Sequence, residues 1–381
     1  MVSSVFQLQC SCNNYPWGRR GTESLAAVLC SKTPNTGFKV EDKEYAEMWM
    51  GDYPVLPAKS SKTGEELHKI VDENKEQLLG KKCIEKFGGV VPFLPKILSI
   101  AKALPLQIHP DKDLAQRLHA QNPDQFTDDN HKPEIAIALG PFEQIHFNNE
   151  TIRSLVSTIL KSDDDTIKKT QESLQQLPTE KYGKHAFILD LLPRLQNQYG
   201  STDPGNLVAL LTMNFLSLEA GDAIYVPASC PHAYLSGNIV ECMARSNNVL
   251  NTGFCPRPDR DSVDLFCTDL TFSAHSPADV LLPAKKSDRG KLGKTSVYAP
   301  PMGEFDMLRV VLGEGKGEKE VLKAFGGPAV AFCVKGEGKL RGGGEELDCK
   351  EGYVFFVGAG TEVEFESEEG EGLEVYVAYA E

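Results

Sequence analysis

The chain has 381 residues, 41% hydrophobic and 25% charged, enough for two or three domains around a large buried core. Its net charge of −14 excludes a general nucleic-acid surface, which needs clustered Lys and Arg, but leaves room for a small basic pocket. No stretch stays apolar over the ~18 residues that a membrane span needs, and the first residues lack a basic segment followed by an apolar one. Ten cysteines without a signal peptide read as reduced thiols in a cytoplasmic protein.

Residues 1–63 hold short apolar pieces broken by Gly, Pro and Asn, which read as strands and loops. Residues 64–80 have acidic residues first, then Leu67, Ile70, Val71, Leu78 and Leu79, and end at Gly80, the pattern of a helix. Residues 91–109 carry strand material, with 97–103 open to a helical reading. A short amphipathic helix over 111–121 has Asp111 or Asp113 as its cap and Leu114 and Leu118 on one face. From 148 to about 198, Ile152, Leu155, Val156, Ile159 and Leu160, then Phe187, Ile188, Leu191, Leu192 and Leu195, recur at helical spacing. Strand-like sequence returns at 207–211 and 215–218. Gly221-Asp222 then turns into Ala223-Ile224-Tyr225-Val226, and 239–244 and 249–254 continue the pattern.

Residues 275–295, rich in Pro, Ser, Lys and Asp, read as a linker. Beyond it lie apolar runs at 305–312, 329–334, 352–357 and 373–378 with Gly-rich turns, the signature of a sandwich or barrel. The expected fold is therefore mainly β: two β units, each a sandwich or barrel, with an inserted α-helical domain. The expected domains are 1–147 with 206–275, the helical insertion 148–205, and a C-terminal barrel 276–381.

Polar residues on the first β unit stand out. Gln107 and His109 are two apart, so on a strand they share a face. Glu134 heads the apolar run Ile135-Ala136-Ile137-Ala138-Leu139, and His232 follows the Gly221 segment after Val226-Pro227. Singly, each is most simply a satisfied polar residue or a surface carboxylate. Together, two imidazoles, a carboxylate and an amide oxygen could hold one divalent metal with a position left open to polarise a substrate oxygen.

The Gly221–His232 segment resembles the second metal-binding motif of the cupins, small jelly-roll barrels with a metal in the mouth. The wider resemblance is to the type I phosphomannose isomerases. It runs through Asn14-Tyr15-Pro16-Trp17-Gly18, Tyr45-Ala46-Glu47-Met48-Trp49-Met50-Gly51 and Pro95-Lys96-Ile97-Leu98-Ser99-Ile100-Ala101-Lys102-Ala103-Leu104. It continues through Gln107-Ile108-His109-Pro110-Asp111-Lys112, His131-Lys132-Pro133-Glu134, Pro231-His232-Ala233-Tyr234-Leu235-Ser236-Gly237 and Glu241-Cys242-Met243-Ala244. These words cover most of 10–257 in family order.

The resemblance implies two cupin barrels and one zinc ion per chain on Gln107, His109, Glu134 and His232. It implies interconversion of mannose 6-phosphate and fructose 6-phosphate through a cis-enediol. Glu241 is the first candidate for proton transfer, and Trp17, Glu47, Lys96 and Lys132 are expected to line the same pocket. The implied partner is a small sugar phosphate, with no nucleic acid or membrane partner and a monomeric chain. Gly352-Tyr353-Val354-Phe355-Phe356-Val357-Gly358-Ala359-Gly360 parallels the Gly221 segment without its His, so the C-terminal barrel is expected to be metal-free.

Two departures fall where the resemblance places the phosphate. Pro105 stands where the family has Ser, and offers neither a hydroxyl nor an N–H. Asn251 stands at the family's Arg position and Arg257 at its Lys position. Arg245 is the candidate to supply the missing guanidinium, so Arg245, Asn251 and Arg257 form the expected substrate-binding set. A sugar isomerase or epimerase with altered phosphate preference, and a non-catalytic metal- or sugar-binding relative, are the alternatives.

Overall fold

Two long strands organise the molecule. In a computed structural model, which describes residues 2–147, 152–270, 277–315, 317–370 and 372–381, strands His232–Ala244 and Ala329–Gly342 are the hubs of a ten-stranded and an eleven-stranded sheet. His232–Ala244 spans 13 residues, long enough to pair antiparallel with four others: Phe142–Phe147, Phe93–Ile100, Leu106–Ile108 and Glu134–Ala138. Nearly all of it is buried, and so is every residue of Phe93–Ile100 and Glu134–Ala138. Strands covered on both faces read as continuous apolar runs, so the few charges among them mark the site.

The second hub pairs with Glu345–Lys350, Val354–Val357, Val363–Ser367 and Leu373–Tyr379. The N-terminal strand Val5–Gln9 pairs with Val354–Val357, and Lys59–Ser60 extends that edge. The beginning of the chain thus joins the C-terminal sheet instead of the first β unit expected over 1–147. One apolar core bridges both sheets, with Leu8, Met48, Ile97 and Ile137 in the same cluster as Val330, Phe356 and Tyr376.

Several local readings hold. Asp111 caps helix Lys112–Gln121, accepting from the Leu114 amide at 2.8 Å. Gly221 has φ 92°, a left-handed conformation that suits glycine, and turns the chain into Ala223–Val226. The residues open to a helical reading continue as strand through Ile100. The 64–80 helix is two, Leu67–Glu73 and Lys75–Leu79, and a further helix, Lys81–Phe87, follows Gly80.

The largest correction is at 207–211. Helix Pro204–Thr212 replaces the expected strand, with Asp203 accepting from the Gly205 amide at 2.8 Å and Pro204 in the first turn. All but one of its residues are buried, so it has no polar face for a periodic pattern to detect. It joins Ile152–Lys161, Asp164–Gln175 and Ile188–Tyr199, so the helical block ends at Thr212 and not at 205. These helices fall between Phe142–Phe147 and Met213–Leu218, which pair directly. They share a second core with Leu106, Ile108, Leu250 and Phe254, and so back the strands beside the site. The supposed linker holds the helical turn Pro277–Val280 and the paired strand Lys285–Lys286; its first two residues, like 148–151 of the helical block, lie outside the described residues.

Candidate metal centre and its cavity

Register does most of the positioning. His232 stands opposite Gln107, which stands opposite Asn251, while Glu241 stands opposite Lys96, which stands opposite Trp49. Met243 is opposite Glu134. One hub strand therefore carries His232 at its start and Glu241 nine positions on (241 − 232), each facing a polar partner on a neighbour.

His109, Glu134 and His232 offer ligand atoms that all lie within 4.8 Å of one another, and all three side chains are buried. His109 Nδ1 donates to the Asn248 carbonyl at 2.7 Å and His232 Nδ1 to the Cys230 carbonyl at 3.0 Å. With Nδ1 protonated in the neutral ring, each Nε2 lone pair is free to face the centre of the group. Nε2 of His109 is 3.3 Å from Glu134 Oε1 but lacks the alignment of a hydrogen bond, and it is buried without another partner. Nε2 of His232 is 3.4 Å from Glu134 Oε2. Two inward lone pairs and a carboxylate with no proton between them suit a cation.

Burial, with the nearby Lys132 charge, pushes the His109 pKa down to about 4, so the ring stays neutral as a ligand must. Burial alone would raise the Glu134 carboxyl, but Lys132 and the two histidines outweigh it and hold it well below the usual carboxylate range. Gln107 joins from the side, its Nε2 3.3 Å from His232 Nε2; half a turn of the amide presents Oε1 there instead.

Glu134 and Gln107 lie at the floor of a cavity of about 540 Å³, which His109 and His232 do not themselves line. Trp17, Glu47, Lys96, Lys132 and Glu241 all line it, as expected, and so does Asn251. Lys132 Nζ is 3.3 Å from Glu134 Oε1, and Lys96 Nζ is 2.8 Å from Glu241 Oε2 and 3.9 Å from Glu47 Oε2. Burial raises the Glu241 pKa to about 7, with Lys96 opposing and the Glu134 and Glu47 charges adding to the rise. Burial would lower Lys96, but the carboxylates around it outweigh that and raise its pKa, keeping it charged. Glu47 is held in place by Trp49 Nε1 at 2.6 Å and Asn13 Nδ2 at 3.1 Å.

Two expected substrate contacts are elsewhere. Arg245 pairs with buried Asp52, lies 4.5 Å over the Tyr53 ring and does not line this cavity. Asp52, 193 positions away in the sequence, is a buried carboxylate in need of a cation, which is why the guanidinium turns that way. Arg257 points outward to Asp164 on the helical block, with 64% of its side chain exposed. His131 is tied to Glu304 at 2.6 Å.

Other residues escaped the sequence reading. Tyr234 is buried and donates to Glu134 Oε2 at 3.4 Å; its place two beyond His232 on one strand is the signal that could have found it. Ser229, buried with φ 60°, ties three segments together. Its amide donates to the His109 carbonyl at 2.6 Å; its Oγ accepts from the Asp111 amide at 3.1 Å and donates to Asp269 at 2.7 Å. A non-glycine residue in that conformation costs about 1–3 kcal/mol and persists where its surroundings over-determine it. Nothing in the local sequence marked it.

A mainly β, cupin-like architecture with an imidazole–carboxylate group whose carboxylate lines a charged cavity defines a class, the metal-site proteins of cupin type. The particular family follows from likeness to known proteins. The family description "Phosphomannose isomerase type I, catalytic domain" matches residues 5–149. The chain is 34% identical to the mannose-6-phosphate isomerase of Aspergillus fumigatus, across 95% of this chain and 93% of that one. It is 31% identical to that of Saccharomyces cerevisiae across the full length of both. The crystal structure of the Salmonella typhimurium mannose 6-phosphate isomerase bound to fructose 6-phosphate and zinc superposes with a TM-score of 0.76, at 24% identity and full coverage of both chains. The chain belongs to the type I phosphomannose isomerase family.

Proposed function

We propose that this protein interconverts mannose 6-phosphate and fructose 6-phosphate with one zinc ion held by His109, Glu134, His232 and Gln107. The observation that carries this reading is that Glu134, the carboxylate of the buried imidazole–carboxylate group, lines one cavity with the Lys96–Glu241 pair. A zinc ion held there would supply Lewis-acid polarisation of a sugar oxygen, and a nitrogen–oxygen donor set of this kind also accepts manganese, iron or cobalt.

The chain's own residues do the rest. Glu241, with a pKa of about 7, is matched to taking and returning a proton near neutral pH. Lys96, 2.8 Å from it, fixes the carboxylate and compensates its charge once the proton leaves. Lys132 adds positive charge beside the oxygen on which negative charge develops. Glu47, anchored by Trp49 and Asn13, positions Lys96. Trp17 supplies an apolar wall, stacked at 5.8 Å on Tyr15. Asn251 has a buried amide oxygen without a partner, ready to accept from a sugar hydroxyl.

We read the two sheets as two barrels, the helices between Phe142–Phe147 and Met213–Leu218 as an insertion, and the C-terminal barrel as structural. We also read the protein as a cytoplasmic monomer; the ten free cysteines support a reducing compartment. The test is a coupled assay that follows fructose 6-phosphate formed from mannose 6-phosphate. Steady turnover is expected, and a zinc-loaded protein without it would contradict the reading.

A further inference from the structure

The cavity is lined by three ammonium groups, and two of them are committed. Lys96, with 6% of its side chain exposed, serves Glu241 and Glu47, and Lys132 serves Glu134. Lys102 differs. It lies at the exposed rim, and its Nζ makes no hydrogen bond or ion pair among the described residues. Its backbone is nonetheless fixed. The Lys102 amide donates to the Trp17 carbonyl at 3.2 Å, the Ala103 amide donates to Gln198 Oε1 at 3.1 Å, and the Ala103 carbonyl accepts from Tyr199. The result is an uncompensated cation on a flexible stem, held at a set place on the cavity edge.

The two guanidiniums expected to meet a phosphate are spent on Asp52 and Asp164. A phosphate dianion also faces carboxylates in this cavity: Glu47, Glu134, Glu241 and Asp259 are all in its lining. It needs a cation that no carboxylate already neutralises. A hexose whose C1 and C2 react at the metal group extends its sixth carbon toward the opening. Resting on the isomerase reading above, we propose that Lys102 is the phosphate-binding cation of this cavity and sets its preference for a phosphorylated sugar.

The test is steady-state kinetics of K102A, K102R and R257A with mannose 6-phosphate, with zinc content measured on each. K102A is expected to raise KM about tenfold to a hundredfold, the scale of one charge-assisted contact, with kcat within about twofold of the wild type. It should weaken competitive inhibition by inorganic phosphate to a similar degree. K102R should restore most of the loss, and R257A should leave KM within about twofold. A KM in K102A within about twofold of the wild type overturns the proposal, as does an R257A defect equal to that of K102A. Turnover by the wild type tests the isomerase reading separately; its absence removes both. Should K102A fail to fold, K102Q, which keeps a polar stem, carries the same expectation.

Discussion

At the floor of the cavity, the functional side chains are placed by strand pairing: Gln107 opposite His232 and Lys96 opposite Glu241. At the rim, Lys102 sits in a bend and Asp259 in the short helical turn Arg257–Asp259, where no register dictates what faces what. The floor is sealed and its charges are mutually compensated; the rim is open and its lysine is not. The contrast teaches that the buried group is fixed by the fold, whereas the charge at the rim is not. A floor residue cannot move without breaking a ladder, whereas a rim cation can be replaced from a neighbouring bend.

Substitutions at the two ends should therefore differ in kind. H232A removes a proposed ligand and is expected to cost about 1,000-fold or more in kcat/KM, the scale of losing a primary electrostatic stabiliser, together with most of the bound zinc. Measured zinc retention with full activity would place the metal elsewhere. E241Q should lower kcat about a hundredfold with zinc content unchanged. In the wild type, kcat/KM should climb as pH rises through about 7, because Glu241 must lose its proton to act as a base. That limb should be missing in E241Q, and its persistence would assign the ionisation to another group.

R245A tests the comparison from the other direction, at a cation that lies outside the cavity. Because Arg245 neutralises buried Asp52, its loss leaves a carboxylate without its cation and should cost about 3 kcal/mol in urea unfolding, with KM for mannose 6-phosphate nearly unchanged. A raised KM at full stability would return Arg245 to the phosphate.

The smallest effect concerns the brace behind His109. Burial raises the Asp269 pKa to about 6, above the 3.8 of an ordinary Asp, and the hydrogen bond from Ser229 only partly offsets this. The folded state therefore holds the proton more tightly than the unfolded chain. Its contribution is fully present below about pH 4 and lost as pH rises through about 6. Unfolding measured across that window should show the wild type losing about 2 kcal/mol more than D269N; parallel profiles would exclude the effect.

The members of the imidazole–carboxylate group were legible because they sit in short local words, and Gly221 and Asp111 because turns and caps are local chemistry. The helix at Pro204–Thr212 was not, since a helix buried all round has no polar face to set its period. Nor was the pairing of Val5–Gln9 with Val354–Val357, a contact between chain ends that no window spans. Arg245 and Arg257 were identified as cations correctly and aimed wrongly. Their direction is decided by Asp52 and Asp164, which are distant in sequence. Ser229 and Asp269 act through hydrogen bonds 40 residues apart, and nothing in the local sequence announces them.

In the proposed function the His109–Glu134–His232 group holds the metal on which turnover depends. This claim is tested most directly by assaying mannose 6-phosphate isomerisation before chelation, after it and on return of one equivalent of zinc. Activity should vanish with the metal and return with stoichiometric zinc. Undiminished turnover in protein shown to be free of metal would contradict the account.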